Sequence, residues 1–252
     1  MLVITGDTHQ KFNRFNNKNF DYSGCSKDNS FIVIAGDFGG IFDSQPNQPE
    51  TKNEKYWLDW LESKPVTFVV VGGNHENWDT IETNYPISEF HGAKVRFLRP
   101  SVVWVERGEI IELDGFHIWC FGGAYSIDKP YRKVGKSWWA REQATEKEFQ
   151  YGMYNFCDNW DKIDFIITHD VPSQTLKDIY GFDSGYPSET QRYLQQIAWL
   201  NKREVPHYCG HIHHDTDINM CGYHVRVRWH DIDKIEKKGD KYETFRLPRK
   251  RY

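Results

Sequence analysis

Five times along this chain a short β-branched or aromatic run breaks off into glycine, aspartate, asparagine or histidine. Leu2–Thr5 runs into Gly6-Asp7-Thr8-His9, and Phe31–Ala35 into Gly36-Asp37. Thr67–Val71 runs into Gly72-Gly73-Asn74-His75-Glu76, Ile163–Thr168 into His169, and Pro206–Cys209 into Gly210-His211-Ile212-His213. Runs of this kind read as buried strands. In open α/β sheets, ligands bind beyond the carboxyl ends of the strands, where loops converge. The pattern therefore predicts an α/β fold whose strand ends carry their polar side chains to one place.

Helix-start signals fall between the runs. Thr51 with Glu54, Thr145 with Glu148 and Ser188 with Gln191 each form a Ser/Thr-x-x-Glu/Gln capping pattern. They predict helices reaching about Ser63, Trp160 and Asn201. The runs Val95–Val105 and Ile110–Phe121 predict antiparallel additions to the sheets. No repeat or linker divides the 252 residues, so one domain is expected over the whole chain. The stretch from Lys234 to Tyr252 holds eight Lys or Arg against three acids and is expected to be a solvated basic tail.

Composition narrows the class. With 38% hydrophobic and 27% charged residues the chain is neither disordered nor membrane-embedded, and no apolar run approaches the ~20 residues of a membrane span. The first run lacks a charged leader, so it reads as a strand rather than a signal peptide. Five scattered cysteines include no CxxC pair, which argues against a disulfide framework or a zinc-thiolate site and suits a cytoplasmic protein. A net charge of -4 gives no overall basic footprint for nucleic acid.

The gathered side chains are two carboxylates (Asp7, Asp37), one amide oxygen (Asn74) and the imidazoles of His9, His75, His169, His211 and His213. Mixed N and O donors without thiolate suit borderline divalent ions. There are too many donors for one open catalytic ion and enough for two that share a carboxylate. Two carboxylates against two divalent cations leave a positive centre, which attracts an anion and can stabilise both the attacking and the leaving oxygen of an in-line displacement. Each fragment alone is a common chance occurrence; the ordered set is not.

The set Asp7-x-His9, Gly36-Asp37, Gly73-Asn74-His75-Glu76, Thr168-His169 and Gly210-His211-x-His213 resembles the motifs of the calcineurin-like metallophosphoesterases. Trp57–Trp60, Phe121-Gly122-Gly123-Ala124 and Trp138-Trp139 are similar to small stand-alone bacterial and phage members. The resemblance implies a four-layered α/β/β/α sandwich of two mixed sheets flanked by helices. It also implies two divalent metal ions: Mn, with Fe, Zn or Ni as alternatives. Asp7, His9, Asp37 and His213 would hold the first ion. Asp37 would bridge to a second, completed by Asn74, His169 and His211. His75 would bind no metal and would act on the leaving group, while Glu76 would orient its neighbours.

Departures from the family pattern shape the functional expectation. Gln10 stands where many members have glycine and is expected to alter the approach to His9. Phe38-Gly39-Gly40 follows Asp37, so the phosphate-binding arginine of the Ser/Thr protein phosphatases is missing. A phosphodiesterase acting on a nucleotide or nucleic acid is the leading expectation. A phosphomonoesterase of a small metabolite or phosphoprotein is the alternative, and a non-catalytic scaffold is disfavoured by the intact ligand set. Most of the aromatic residues between Trp119 and Trp160 are expected in the core or on a packed helix; the sharper expectation is that Tyr125, Tyr131, Trp138 or Trp139 rims the pocket and stacks on a base. Lys129, Arg132, Lys133 and Lys136 are expected to meet phosphates. The sequence carries no signal for oligomeric state.

Overall fold

A computed structural model describes residues 1–181, 187–220, 223–239 and 241–248. The chain first lays down β1 (Leu2–Thr5), β2 (Phe31–Ala35), α1 (Lys52–Glu62), β3 (Thr67–Val71) and α2 (Trp78–Asn84). Next come β4 (Ile87–Phe90), β5 (Ala93–Arg99), β6 (Val102–Val105), β7 (Ile110–Leu113) and β8 (Phe116–Phe121). Then follow α3 (Glu146–Asn159), β9 (Phe165–Thr168), α4 (Ser173–Tyr180), α5 (Glu189–Leu200) and β10 (His207–Cys209). The described residues end with β11 (Thr216–Met220), β12 (Tyr223–Val227), β13 (Asp233–Lys238) and β14 (Lys241–Arg246).

Two mixed sheets result, ordered β14-β13-β1-β2-β3-β6-β5-β4 and β11-β12-β10-β9-β8-β7. In the first, β1, β2, β3 and β6 are parallel; in the second, β8, β9, β10 and β12 are. The antiparallel additions occur as expected, β5 against β6 and β7 against β8.

Strand alternation builds the layers. Leu2, Ile4, Val33, Val69 and Val71 from one sheet meet Ile118, Cys120, Phe165 and Ile167 from the other. The opposite faces of the first sheet's strands, Val3, Ile32, Ile34, Phe68 and Val70, are covered by Leu58 and Leu61 of α1 and by Trp78 and Ile81 of α2. Trp119, Phe121 and Ile166 on the outer face of the second sheet are covered by Phe149 and Phe156 of α3 and Leu194 and Ile197 of α5. This is the α/β/β/α order. Burial on both faces explains why the central strands are continuously apolar rather than alternating. Each fully buried leucine of the covering helices contributes about 1.5–3 kcal/mol.

All three capping patterns are realised. Thr51, Thr145 and Ser188 accept hydrogen bonds from the third helical N–H, and Glu54, Glu148 and Gln191 reach back to the capping residue's N–H. The strand predicted from Ile163 starts at Phe165. The basic stretch expected as a solvated tail is instead largely a β-hairpin, β13 paired with β14, and β13 zips antiparallel onto β1. Several of its charges are partnered: Arg246 pairs with Asp217, Asp231 and Asp233, Lys234 with Glu236 and Lys238 with Glu243. Beside it, fully buried Arg228 bonds Asp233 and Asp217. Residues 240 and 249–252 of that stretch lie outside the described residues.

Candidate metal centre

The carboxyl ends of β1, β2 and β3 meet those of β9 and β10 across the two sheets. The Asp7 carboxylate accepts from the His211 N–H at 3.0 and 3.1 Å, and the His75 N–H donates to Asp37 at 2.9 Å. To turn side chains inward so soon after a strand, the backbone passes through the left-handed region at Asp7, His9, Asp37, His211 and His213, with φ between 43° and 67°. Such conformations cost about 1–3 kcal/mol each and persist where surrounding contacts over-determine them. Here the Asp7 N–H donates to Gly36 (3.1 Å), His9 to Asp37 (2.7 Å) and Gly210 to His169 (3.0 Å).

Two glycines are required by close approach. A Cβ on Gly36 would lie 1.9 Å from His169 Nδ1, and one on Gly73 would lie 2.1 Å from an Asp37 carboxylate oxygen.

One ligand atom from each of Asp7, His9, Asp37 and His213 lies within 4.8 Å of the others. The Nε2 atoms of His9 and His213 face each other at 2.8 Å, and His9 Nε2 is 3.5 Å from Asp37. Beside this group, His169 Nε2 is 3.0 Å from the Asn74 amide oxygen and 3.2 Å from Asp37, and the His211 ring centre lies 5.1 Å from that of His169. His169 donates from Nδ1 to the Ala35 carbonyl at 3.0 Å, which fixes the ring with Nε2 facing Asp37 and Asn74. The seven expected ligands are thus brought together, with Asp37 between the two groups.

This arrangement fits divalent cations. Asp7 and Asp37 are both essentially fully buried, beside one another. Without a cation they resist common ionisation: burial pushes Asp7 up to about 8, with Asp37 adding to the rise. Burial also works to raise Asp37, but the adjacent His169 holds it well below the ordinary carboxylate range. His169 is itself pushed up to about 10, because Asp37 outweighs the burial that opposes its charge. Burial lowers His9 to about 4, keeping its imidazole neutral and available as a donor of electrons. Carboxylate, amide and neutral imidazole donors are those of borderline divalent ions.

His75 is half-buried at the mouth, its ring centre 5.1 Å from that of His9. The fully buried Glu76 accepts from the N–H groups of Phe38 and Gly39, so it orients the turn after Asp37. Gln10 does not reach into the site: it donates to the Gly39 carbonyl and accepts from Asn53.

Several supporting residues went unread in the sequence. Asn74 donates from Nδ2 to Ser126 Oγ (3.0 Å), and Ser126 donates to Glu142 (2.6 Å), all three side chains being buried. That relay aims the Asn74 oxygen at His169. Arg14, also buried, donates to the carbonyls of Gly6 (3.1 Å) and Trp229 (2.8 Å) and holds the turn that carries Asp7. Trp229 in turn stacks on His213 at 5.2 Å, and Asp215 accepts from the N–H groups of Trp229, His230 and Asp231. Isolated Arg, Ser and Glu residues carry no sequence signal; only their position relative to Asp7 and Asn74 reveals them.

The centre opens into a cleft of about 580 Å³ lined by Asp37, Asn74, His75, His211 and His213 on one side. Tyr125, Ile127, Leu176, Tyr180 and Ile212 supply apolar walls. Of the aromatic residues expected at the rim, Tyr125 is there. Trp139 is not: it is buried against Phe42. Trp138 lies under Lys129, and Tyr131 projects into solvent without lining the cleft. Of the four basic residues expected near phosphate, only Arg132 lines the cleft. A second hollow, about 670 Å³ between α3 and α5, contains none of the gathered residues.

A sequence model of the family described as calcineurin-like phosphoesterase matches residues 1–215. No curated protein matches the chain. Among solved structures, a putative 5'-nucleotidase from Staphylococcus aureus, in complex with alpha-ketoglutarate, aligns with a TM-score of 0.50 and 13% identity. The alignment covers 98% of this chain and 54% of that one, so the chain spans about half the nucleotidase's length. Phosphopantetheinyl hydrolase from Mycobacterium tuberculosis aligns with a TM-score of 0.41 and 15% identity, over 90% of this chain and 87% of that one. The likeness to the nucleotidase is one of fold.

Proposed function

The chain belongs to the calcineurin-like phosphoesterase family, and we propose that it hydrolyses a small organic phosphoester with two divalent ions, a nucleotide phosphodiester being the leading substrate class. The observation that carries this reading is the gathering of six N and O donor residues around Asp37, all but His213 buried or half-buried, with His75 beside them at the mouth of a cleft. In the proposed assignment Asp7, His9, Asp37 and His213 hold one ion, and Asp37, Asn74, His169 and His211 the other; Mn is the expected metal, with Fe, Zn or Ni as alternatives. Bound ions supply the charge that holds the phosphoryl oxygens and acidifies the attacking water.

The chain's own side chains do the rest. The strained turns fix the donors in place before substrate arrives, which lowers reorganisation during reaction. His75, held by its N–H on Asp37, lines the cleft, and in this reading it acts on the leaving-group oxygen. Tyr125 and Tyr180 offer aromatic faces for a base, and stacking of this kind is worth ~1–3 kcal/mol per base.

A second reading, a phosphomonoesterase of a small metabolite, is favoured by Arg132, whose charge in the cleft suits the second negative charge of a monoester. No described helix is long and apolar enough to cross a membrane. The test compares mono- and bis-p-nitrophenyl phosphate and a panel of nucleotides with Mn²⁺. Diester turnover with nucleotide preference supports the first reading, monoester preference the second. Hydrolysis that persists in Asp37→Ala would remove both.

A further inference from the structure

We propose that Arg132 binds a non-bridging phosphoryl oxygen of the substrate, as a guanidinium delivered to the cleft by the segment between β8 and α3. The inference rests on the hydrolase reading above and assigns that site its anion-gripping residue.

Arg132 is the only Lys or Arg among the described residues that line the cleft. Its side chain is 8% exposed, although the residues around it, Tyr131, Lys133 and Val134, project into solvent. A long cation on an exposed segment would ordinarily extend into water. Here it is folded inward and braced. Asp128, four residues earlier, pairs with Nε at 2.7 Å, and the Ser137 carbonyl accepts from Nη1 at 3.3 Å. Nη2 donates to His75 Nε2 at 2.6 Å. The guanidinium therefore stands at the one ring of the site assigned to the leaving group and not to a metal.

These three contacts use three of the five guanidinium donors, so a phosphoryl oxygen can be accepted while the Asp128 brace stays in place. The planar fork matches phosphate geometry, and a position out of bulk water strengthens such a bond. An imidazole nitrogen is a weak partner for a buried guanidinium compared with an oxyanion. The contact with His75 is thus one that phosphate can replace at a gain. A single cation opposite apolar walls also points to a substrate with one phosphoryl group in the cleft, not a polyphosphate chain.

The test measures binding of inorganic phosphate to the Mn²⁺-loaded protein by calorimetry, for wild type, Arg132→Ala and Arg132→Lys, with Mn²⁺ binding measured in parallel. Arg132→Ala is expected to weaken phosphate roughly 10- to 100-fold, the range of one charge-assisted hydrogen bond. Its Mn²⁺ binding should be unchanged. Arg132→Lys should fall between, because it keeps the charge without the fork. In the metal-free proteins the His75 Nε2 nitrogen resonance should move in Arg132→Ala. Equal phosphate affinity in wild type and Arg132→Ala overturns the proposal. Should Arg132→Ala fail to fold, Arg132→Lys with wild-type phosphate affinity overturns it instead. Absence of any phosphoester hydrolysis by wild type would sink the enzymatic reading separately, since phosphate binding is read without turnover.

Discussion

Ser126→Ala tests whether the second ion depends on a side chain that never touches it. Ser126 Oγ accepts from the Asn74 amide and donates to Glu142, and the three groups are buried. Removing the hydroxyl leaves the Asn74 N–H₂ without its acceptor and one Glu142 oxygen without its donor. A buried polar group deprived of its partner costs about 1–3 kcal/mol. The loss falls on the preference of Asn74 for pointing its oxygen, rather than its nitrogen, at His169. Support of this kind is typically worth 10- to 100-fold in metal affinity, which is about 1.4–2.7 kcal/mol. Glu142→Gln should act similarly by reversing the relay: a Gln amide can donate to Ser126, so the Ser126 hydroxyl turns to Asn74 and favours the flipped amide. Calorimetric titration with Mn²⁺ should resolve two sites in wild type. Both variants should weaken one site by 10- to 100-fold and leave the other within about twofold. Two unchanged sites in both variants would refute the relay. Equal weakening of both sites would mean that the defect is general unfolding of the loop, not reorientation of Asn74.

His75→Ala should keep both ions in the same titration but lose turnover, more severely with alkyl than with p-nitrophenyl esters; equal loss on both would remove its leaving-group role. Gly36→Ala places a methyl within 1.9 Å of His169 Nδ1 at a φ of +86°. It should lose the second ion and about 1–3 kcal/mol of stability, read by titration and by denaturant unfolding; a wild-type result in both would show that the turn is not rigid. In Glu148, burial raises the pKa but hydrogen bonds from Arg141 and the charge of Arg107 outweigh it, so the carboxyl lies well below its ordinary 4.5. A depressed folded pKa gives stability that is present above about 4.5 and lost as pH falls below it. Glu148→Gln should flatten the acid limb of a pH–stability curve below that point, and an unaltered limb would refute the assignment.

Much of the candidate centre was legible because most of its expected ligands sit within three residues of an apolar run, where the period of the sequence changes abruptly. For Asp7, Asp37, Asn74, His169 and His211 the ordered set of such positions, not any one of them, carried the signal. The three capping patterns marked α1, α3 and α5 in the same local way. The helices that were missed lack it. Asn77 caps α2 through Thr80, with no glutamate or glutamine to complete a box, and the residue before α4 is Pro172, which offers no side-chain cap. The C-terminal hairpin was hidden for a different reason. Charged residues dominate its two strands, and it is held on the sheet by pairing with β1, by Ile235 facing the core and by ion pairs to Arg228 and Asp217. Apart from Arg228, five residues before Asp233, these partners are far off in sequence. Ser126 and Glu142 were hidden in the same way: a residue that acts through space rather than along the strand leaves no periodic trace.

The donors come from both halves of the sandwich, Asp7, His9, Asp37 and Asn74 from the ends of one sheet and His169, His211 and His213 from the other. An ion lodged between Asp37 and His169 would therefore rivet the two layers along this rim. Chelation should loosen the rim before it disturbs the apolar interior, and the melting temperature should climb with free metal concentration as mass action fills the rivet holes. The protein would then carry a gauge of its own loading, stiff when charged with metal and slack when depleted.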